Sequence, residues 1–310
     1  MRNPFKAART LADRLYEQGR ASETILINQG RLLAHQNARG DFAELRKAEF
    51  KIFSQWGEDG IIQYILSRIG PVSETFIEFG VEDFSESNCR FLMMKDFWAG
   101  FVIDGSQRNV DSIRRQSFYW MHDIHAECAF ITRENVAELL ARSGFDRSCG
   151  ILSIDVDGID YHLYEALGDW RPALLIVEYN AMFGPRATVS VPYDPAFVRH
   201  QKHHSGLYWG ASLGAFQHLA AARGYSLVGV NSPSTNAFFV RDDLLWSPGA
   251  ARSVEDVHRY PSFRDARNEQ GELSFPTLAE RRRLIADLPL VDVRSGATGT
   301  VASLSDTLPN

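Results

Sequence analysis

The chain has 310 residues, 45% of them hydrophobic and 23% charged, with a net charge of −6. That is enough apolar material for one large α/β domain with appendages, or for two small domains, without disulfide or metal staples. The negative balance gives no electrostatic reason to expect nucleic acid or an anionic membrane as partner. Cys89, Cys128 and Cys149 are scattered with no C-x-x-C pair, and residues 1–18 lack the apolar stretch of a secretory signal. No run approaches the roughly 18 apolar residues that a spanning helix needs. These features together fit a soluble, cytoplasmic protein with reduced thiols.

Residues 1–50 read as an N-terminal helical segment, helical from about 5 to 48, with Leu11, Leu15, Ile25, Leu32 and Leu33 among charged and amide residues. Such an arm can cap the main domain or join two copies of the chain. The segment Ser54-Gln55-Trp56-Gly57-Glu58-Asp59 then leads into a second amphipathic helix. From Thr75 the pattern changes to apolar runs alternating with helical stretches. The runs are 75–79, 100–103, a weak one near 125–130, 151–154 and 173–177, and the helices between the early ones are 88–95, 109–116, 134–143 and 161–167. Alternation at this spacing predicts a doubly wound, mostly parallel α/β sheet with helices on both faces. Two last runs, 226–230 and 237–240, are joined by the short link Asn231–Asn236, which permits only an antiparallel hairpin. Residues 51–246 are thus the predicted domain, and 247–310 read as a polar C-terminal extension, loosely packed and partly disordered.

In a doubly wound sheet, ligands bind beyond the carboxyl ends of the strands. The first strand ends in Glu78-Phe79-Gly80-Val81-Glu82-Asp83, where Gly80 would let the backbone approach a ligand. Carboxylates at this density would repel a pyrophosphate and suit a ligand that carries an ammonium and ribose hydroxyls, as S-adenosylmethionine does. The second strand ends at Asp104-Gly105-Ser106, at the separation from Gly80 where a Rossmann-type site places its ribose carboxylate. Glu78, Gly80, Glu82, Asp104, Ser106 and Asp155 are therefore the candidate cofactor-binding residues. The G-x-G-x-x-G fingerprint of a dinucleotide dehydrogenase is absent. The fourth strand runs into Asp155-Val156-Asp157-Gly158 and the fifth into Glu178-Tyr179-Asn180. Strand alternation would put Glu178 and Asn180 on one face, so Asp155, Glu178 and Asn180 are candidate ligands for Mg²⁺ or Mn²⁺, against a metal-free pocket as the alternative.

The Asp155–Gly158 segment resembles the Asp-Val-Glu-Gly of FkbM-type methyltransferases, whose next strand ends in a glutamate like Glu178. Ser54-Gln55-x-Gly57-Glu58-Asp59 is similar to that family's segment ahead of the first strand. The resemblance spans roughly residues 50–245 and departs at the first strand, where the family usually has Asp-x-Gly-Ala. It implies a class I, Rossmann-like fold and an S-adenosylmethionine-dependent methyltransferase, with O-methylation of a small-molecule or sugar acceptor as the expected reaction. Five parallel strands followed by an antiparallel hairpin are the sheet plan of that class.

A long segment, residues 181–210, follows the fifth strand and carries Arg186, Arg199, His200, Lys202, His203, His204, Tyr208 and Trp209. Loops of this length in a compact domain are usually lids or substrate sites. Asp155, His162 and His204 are the candidate catalytic groups for an acceptor that must lose a proton. Two other classes of enzyme share the Asp-x-Asp pattern. A haloacid-dehalogenase-type phosphatase has it near the start of its domain and followed by threonine, whereas Ile159 follows here and at least three strands precede it. A nucleotide-sugar glycosyltransferase uses two carboxylates to hold a metal–diphosphate. Neither accounts for the Glu78 and Asp104 pair, and a non-catalytic scaffold of the same fold is the remaining alternative.

Overall fold

The computed structural model describes residues 4–306, with side chains from residue 17. Five strands make the parallel part of the main sheet: β1 (Thr75–Phe79), β2 (Ala99–Asp104), β3 (Ile124–Cys128), β4 (Ile151–Ile154) and β5 (Leu174–Glu178). A two-residue strand β6 (Val189–Ser190) lies in the long segment, followed by β7 (Tyr225–Val230) and β8 (Asn236–Arg241). The main sheet has the order β3-β2-β1-β4-β5-β8-β7. β1 to β5 are parallel to their neighbours, whereas β8 is antiparallel to both β5 and β7. The chain is thus a doubly wound, Rossmann-like α/β fold whose sheet closes on an antiparallel hairpin.

Period-2 alternation divides the sheet between two cores. Ile77, Phe79, Leu152, Ile154, Leu175 and Val177 face one core, which includes residues of helices Val136–Ala141, Asp160–Ala166 and Leu213–Ala222. Phe76, Val102, Ile151, Leu174 and Ile176 face the other, with residues of helices Glu58–Ile69, Arg90–Asp96 and Gln107–Arg115. Strands buried on both faces favour apolar residues on both sides, which is why these runs are nearly continuous in sequence, with Glu78, Ser153 and Glu178 as buried polar exceptions.

The N-terminal helix spans Pro4–Asn37 and stops short of the expected residue 48; a 3₁₀ turn, Leu45–Ala48, follows after a break. Asn37 closes the break by donating its Nδ2–H to the Ala48 carbonyl at 2.6 Å. The helix docks through Gly30 and Ala34, and Arg90 pairs with Glu23 at 2.8 Å. Its other faces expose Ile25, Leu26, Leu32 and Leu33, while the side chains of Leu11 and Leu15 lie outside the described ones.

The C-terminal extension departs from the sequence expectation. β9 (Pro289–Asp292) and β10 (Thr298–Thr300) form a second sheet of order β10-β9-β6. Ile285, Leu290 and Val301 are fully buried in the first core. The segment is thus packed on the domain, with β9 pairing with β6, although Leu273, Phe275 and Leu284 stay exposed. The three cysteines are free. Among the described residues, no helix is long and apolar enough to cross a membrane.

Candidate functional site

A cavity of about 400 Å³ opens at the carboxyl ends of β1, β2, β4 and β5, a size within the range of small-ligand pockets. Its walls carry Glu78, Gly80, Glu82 and Asp104 from the first two strand ends, and Asp155, Asp157 and Glu178 from the fourth and fifth. Ala129, Phe130 and Ile131 close the side beyond β3, while Phe197 and Arg199 reach in from the long segment.

Asp104 is held in place before any ligand arrives. Oδ1 accepts from the Ser106 N–H at 2.8 Å and from Asn109 Nδ2 at 3.0 Å, and Oδ2 accepts from the Glu82 N–H at 2.9 Å. A carboxylate has about four lone-pair sites, so one on Oδ2 is left for a hydroxyl in the cavity. Ser106 has a different role from the one expected: its side chain caps helix Gln107–Arg115 by accepting from the Asn109 N–H, and it does not line this cavity.

Glu78 is also more committed than its sequence position suggests. Its carboxylate accepts from Ser87 Oγ at 2.7 Å, the Asn88 N–H at 2.7 Å and the Cys89 N–H at 3.2 Å. It thereby anchors the turn that enters helix Arg90–Asp96, and burial raises its pKa against those donors. Glu82 stays exposed on the cavity wall with a left-handed φ of 48°. Gly80 has φ +70°, and a Cβ added there would sit well under 3.0 Å from the Asp155 carbonyl oxygen. Glycine is needed at this point for the close approach of the β1 and β4 ends, a tighter constraint than approach to a ligand.

Asp155, Asp157 and Glu178 converge so that one carboxylate oxygen from each lies within 4.8 Å of the others. Burial holds the Asp155 and Glu178 carboxyls well above the ordinary carboxylate range, neighbouring carboxylates add to the rise, and Arg199 opposes it. Arg199 Nη1 donates to Asp157 Oδ1 at 2.6 Å, its Nη2 to Asp265 Oδ2 at 3.0 Å, and its guanidinium lies over the Trp209 ring. Asp157 itself has a left-handed φ of 57°, a conformation that costs about 1–3 kcal/mol outside glycine.

Asn180 does not join this group. β5 ends at Glu178 and the chain turns, so strand alternation no longer applies two residues on. Asn180 Oδ1 accepts from the Met182 N–H at 3.1 Å, and its Nδ2 donates to the Leu207 and Trp209 carbonyls. Neither histidine candidate lines the cavity. His162 is buried with Nε2 at 2.9 Å from the Val191 carbonyl, and burial lowers its pKa. His204 is exposed beside His203. Among the described residues lining the cavity there is no histidine, lysine, tyrosine or cysteine.

Two contributors were not singled out from the sequence. Phe130 is 51% exposed at the cavity rim, where its ring is open to a ligand. Asn236 opens β8 directly opposite Glu178 in the β5–β8 ladder. The Ser54–Asp59 segment explains its orientation. Asp59 gathers the Ile52, Phe53 and Ser54 N–H groups, while Glu58 Oε1 accepts from both Asn231 Nδ2 at 2.6 Å and Asn236 Nδ2 at 3.0 Å. A sequence signal for Asn236 existed only in its place at the start of a strand next to the site.

No protein-family model matches the chain, and no curated protein matches it. Among solved structures, the chain is similar to TrmK from M. capricolum in complex with S-adenosyl-homocysteine (9% identity, TM-score 0.33, 58% of this chain and 65% of that one). It is similar as well to an O-methyltransferase family protein from Burkholderia thailandensis (9%, TM-score 0.37, 58% and 55%). A third is the O-methyltransferase from Bacillus cereus in complex with S-adenosyl-homocysteine (14%, TM-score 0.34, 54% and 72%). The chain thus spans less than two thirds of the first two. The fold assignment rests on strand order and register, independently of these likenesses.

Proposed function

We propose that the chain is an S-adenosylmethionine-dependent methyltransferase that methylates a hydroxyl of a small-molecule or carbohydrate acceptor. The observation that carries this reading is Asp104, pinned at the end of β2 with one acceptor site left facing the cavity. Ribose hydroxyls are the donors that such a carboxylate takes at this strand position. Phe130 and Ile131 offer an apolar face for adenine, and Glu82 and Glu86 supply negative charge for the methionine ammonium. The bound cofactor supplies a methyl group on a positively charged sulfur. An acceptor oxygen would take that methyl group with the sulfur as leaving group, and its proton would leave to a carboxylate of the cavity wall or to water.

The chain's own residues would mainly align the acceptor and exclude water. Phe197 and Arg199 close the side nearest Asp155, where the acceptor would sit. The placement of Asp155-Val156-Asp157-Gly158 at the end of β4 and the bracing role of Ser54–Asp59 favour an FkbM-type enzyme within the class. A nucleotide diphosphate at the β1 and β2 ends is disfavoured, because Glu82, Glu86 and Asp104 face the cavity there.

The test is calorimetric titration of the wild type and of Asp104→Asn with S-adenosylhomocysteine. Wild-type binding with stoichiometry near one and a loss of about tenfold or more in the variant is expected, the worth of one charge-assisted hydrogen bond. Equal affinities would remove Asp104 from the ribose, and no wild-type binding would end the reading.

A further inference from the structure

We infer that the carboxyl end of β5 holds a divalent cation, ligated by Asp155, Asp157 and Glu178 together with the side-chain oxygen of Asn236. The four groups come from three strand ends, β4, β5 and β8, and line the same cavity. Opposed residues in an antiparallel ladder point to the same face, which puts Asn236 beside Glu178.

Two buried oxygens there have no partner: Glu178 Oε2 and Asn236 Oδ1, on residues 9% and 6% exposed. A buried acceptor left without a donor is destabilising. The orientation of the Asn236 amide follows from its neighbour. Glu58 Oε1 accepts from the amide nitrogen at 3.0 Å, so the nitrogen faces Glu58 and the oxygen faces away. The Asn236 oxygen is therefore set by a hydrogen bond from outside the acidic group.

Distance and charge agree with a single ion. Ligands on opposite sides of one cation lie at most twice the metal–oxygen distance apart, about 4.2 Å for Mg²⁺ and about 4.8 Å for Ca²⁺. The three carboxylate oxygens lie within 4.8 Å of one another, which spans a Ca²⁺ as they stand, and a smaller ion would draw the exposed Asp157 inward. Ionised, the three carboxylates carry −3, and Arg199, which is shared with Asp265, offsets this only in part, so a divalent ion is favoured there. An all-oxygen set selects Mg²⁺, Mn²⁺ or Ca²⁺ over zinc or copper. Arg199 occupies only Oδ1 of Asp157, so Oδ2 remains available.

Resting on the methyltransferase reading, the ion has a task that neither histidine candidate can fill. Neither His162 nor His204 lines the cavity, and a hydroxyl acceptor needs its proton made easier to lose. A cation at this point would hold the acceptor oxygen and lower its pKa.

The experiment is a Mn²⁺ titration of the EDTA-treated, dialysed full chain, read by loss of the free-ion electron paramagnetic resonance signal, with Mg²⁺ as competitor. One Mn²⁺ per chain is expected. Asp157→Asn, at an exposed residue whose replacement spares the core, and Asn236→Leu should each weaken binding about tenfold or more, the scale seen when a metal's supporting groups are removed. Absence of saturable binding, or unchanged affinity in both folded variants, would overturn the site. A parallel S-adenosylhomocysteine titration without metal separates the two readings. Cofactor binding without Mn²⁺ binding removes the cation alone, and Mn²⁺ binding without cofactor binding keeps the site and removes the methyltransferase.

Discussion

Gly80, at the end of β1, is packed against the carbonyl oxygen of Asp155, at the end of β4, so closely that no Cβ fits between them. This contact sets the spacing of the two strand ends that frame the cavity. The Gly80→Ala variant combines a backbone clash with a strained φ of +70°, and should lose about 3 kcal/mol or more of stability. Urea denaturation would measure it. A midpoint equal to wild type would mean that the two strand ends can move apart.

The C-terminal extension should be required for stability. Deleting everything after Pro276 removes the buried side chains of Ile285, Leu290 and Val301 and uncovers β6. At about 1.5–3 kcal/mol for each buried apolar side chain, the loss is about 5 kcal/mol or more. A truncated chain that melts cooperatively at the wild-type temperature would contradict the packing described for β9.

His162 should act on stability with a definite pH sign. Burial lowers its pKa, the Val191 carbonyl and Glu165 at 4.0 Å oppose the shift, and Arg133 adds to it. The unfolded chain therefore takes up the proton first. Its contribution to stability is complete above the ordinary value of about 6.5 and declines as pH falls below it. Compared with His162→Gln, the wild type should lose more stability between pH 7.5 and pH 5. Parallel pH profiles would show that the imidazole is not held neutral by the fold.

Much of this was legible from residues 75–79 and 151–154, whose largely apolar runs match β1 and β4 end to end. The hairpin was readable because a six-residue link leaves no room for a crossover. Asn180 was misplaced because alternation was extended past the last strand residue, where the backbone had already turned. The extension was misread because Ile285, Leu290 and Val301 are isolated among polar residues, and only the position of β6 gives them a partner. Asn236 could not be found as a site residue, since its orientation depends on Glu58, 178 positions away. Phe130 belonged to a weakly patterned third strand, and its exposure is visible only in three dimensions.

Phe130 should carry part of the cofactor affinity. Stacking of a base on an aromatic ring contributes about 1–3 kcal/mol, so Phe130→Ala should bind S-adenosylhomocysteine about tenfold more weakly or worse, without loss of stability. Its half-exposed ring makes the stability arm safe to read. Unchanged affinity in calorimetry would place adenine elsewhere.

The central claim is that the cavity at the ends of β1, β2 and β4 is a cofactor site, and a crystal structure of the chain grown with S-adenosylhomocysteine tests it most directly. The predicted result is the ligand in this cavity, a ribose hydroxyl on Asp104 Oδ2 and adenine against Phe130. Density for the ligand at another surface, or none at saturating concentration, would contradict the account.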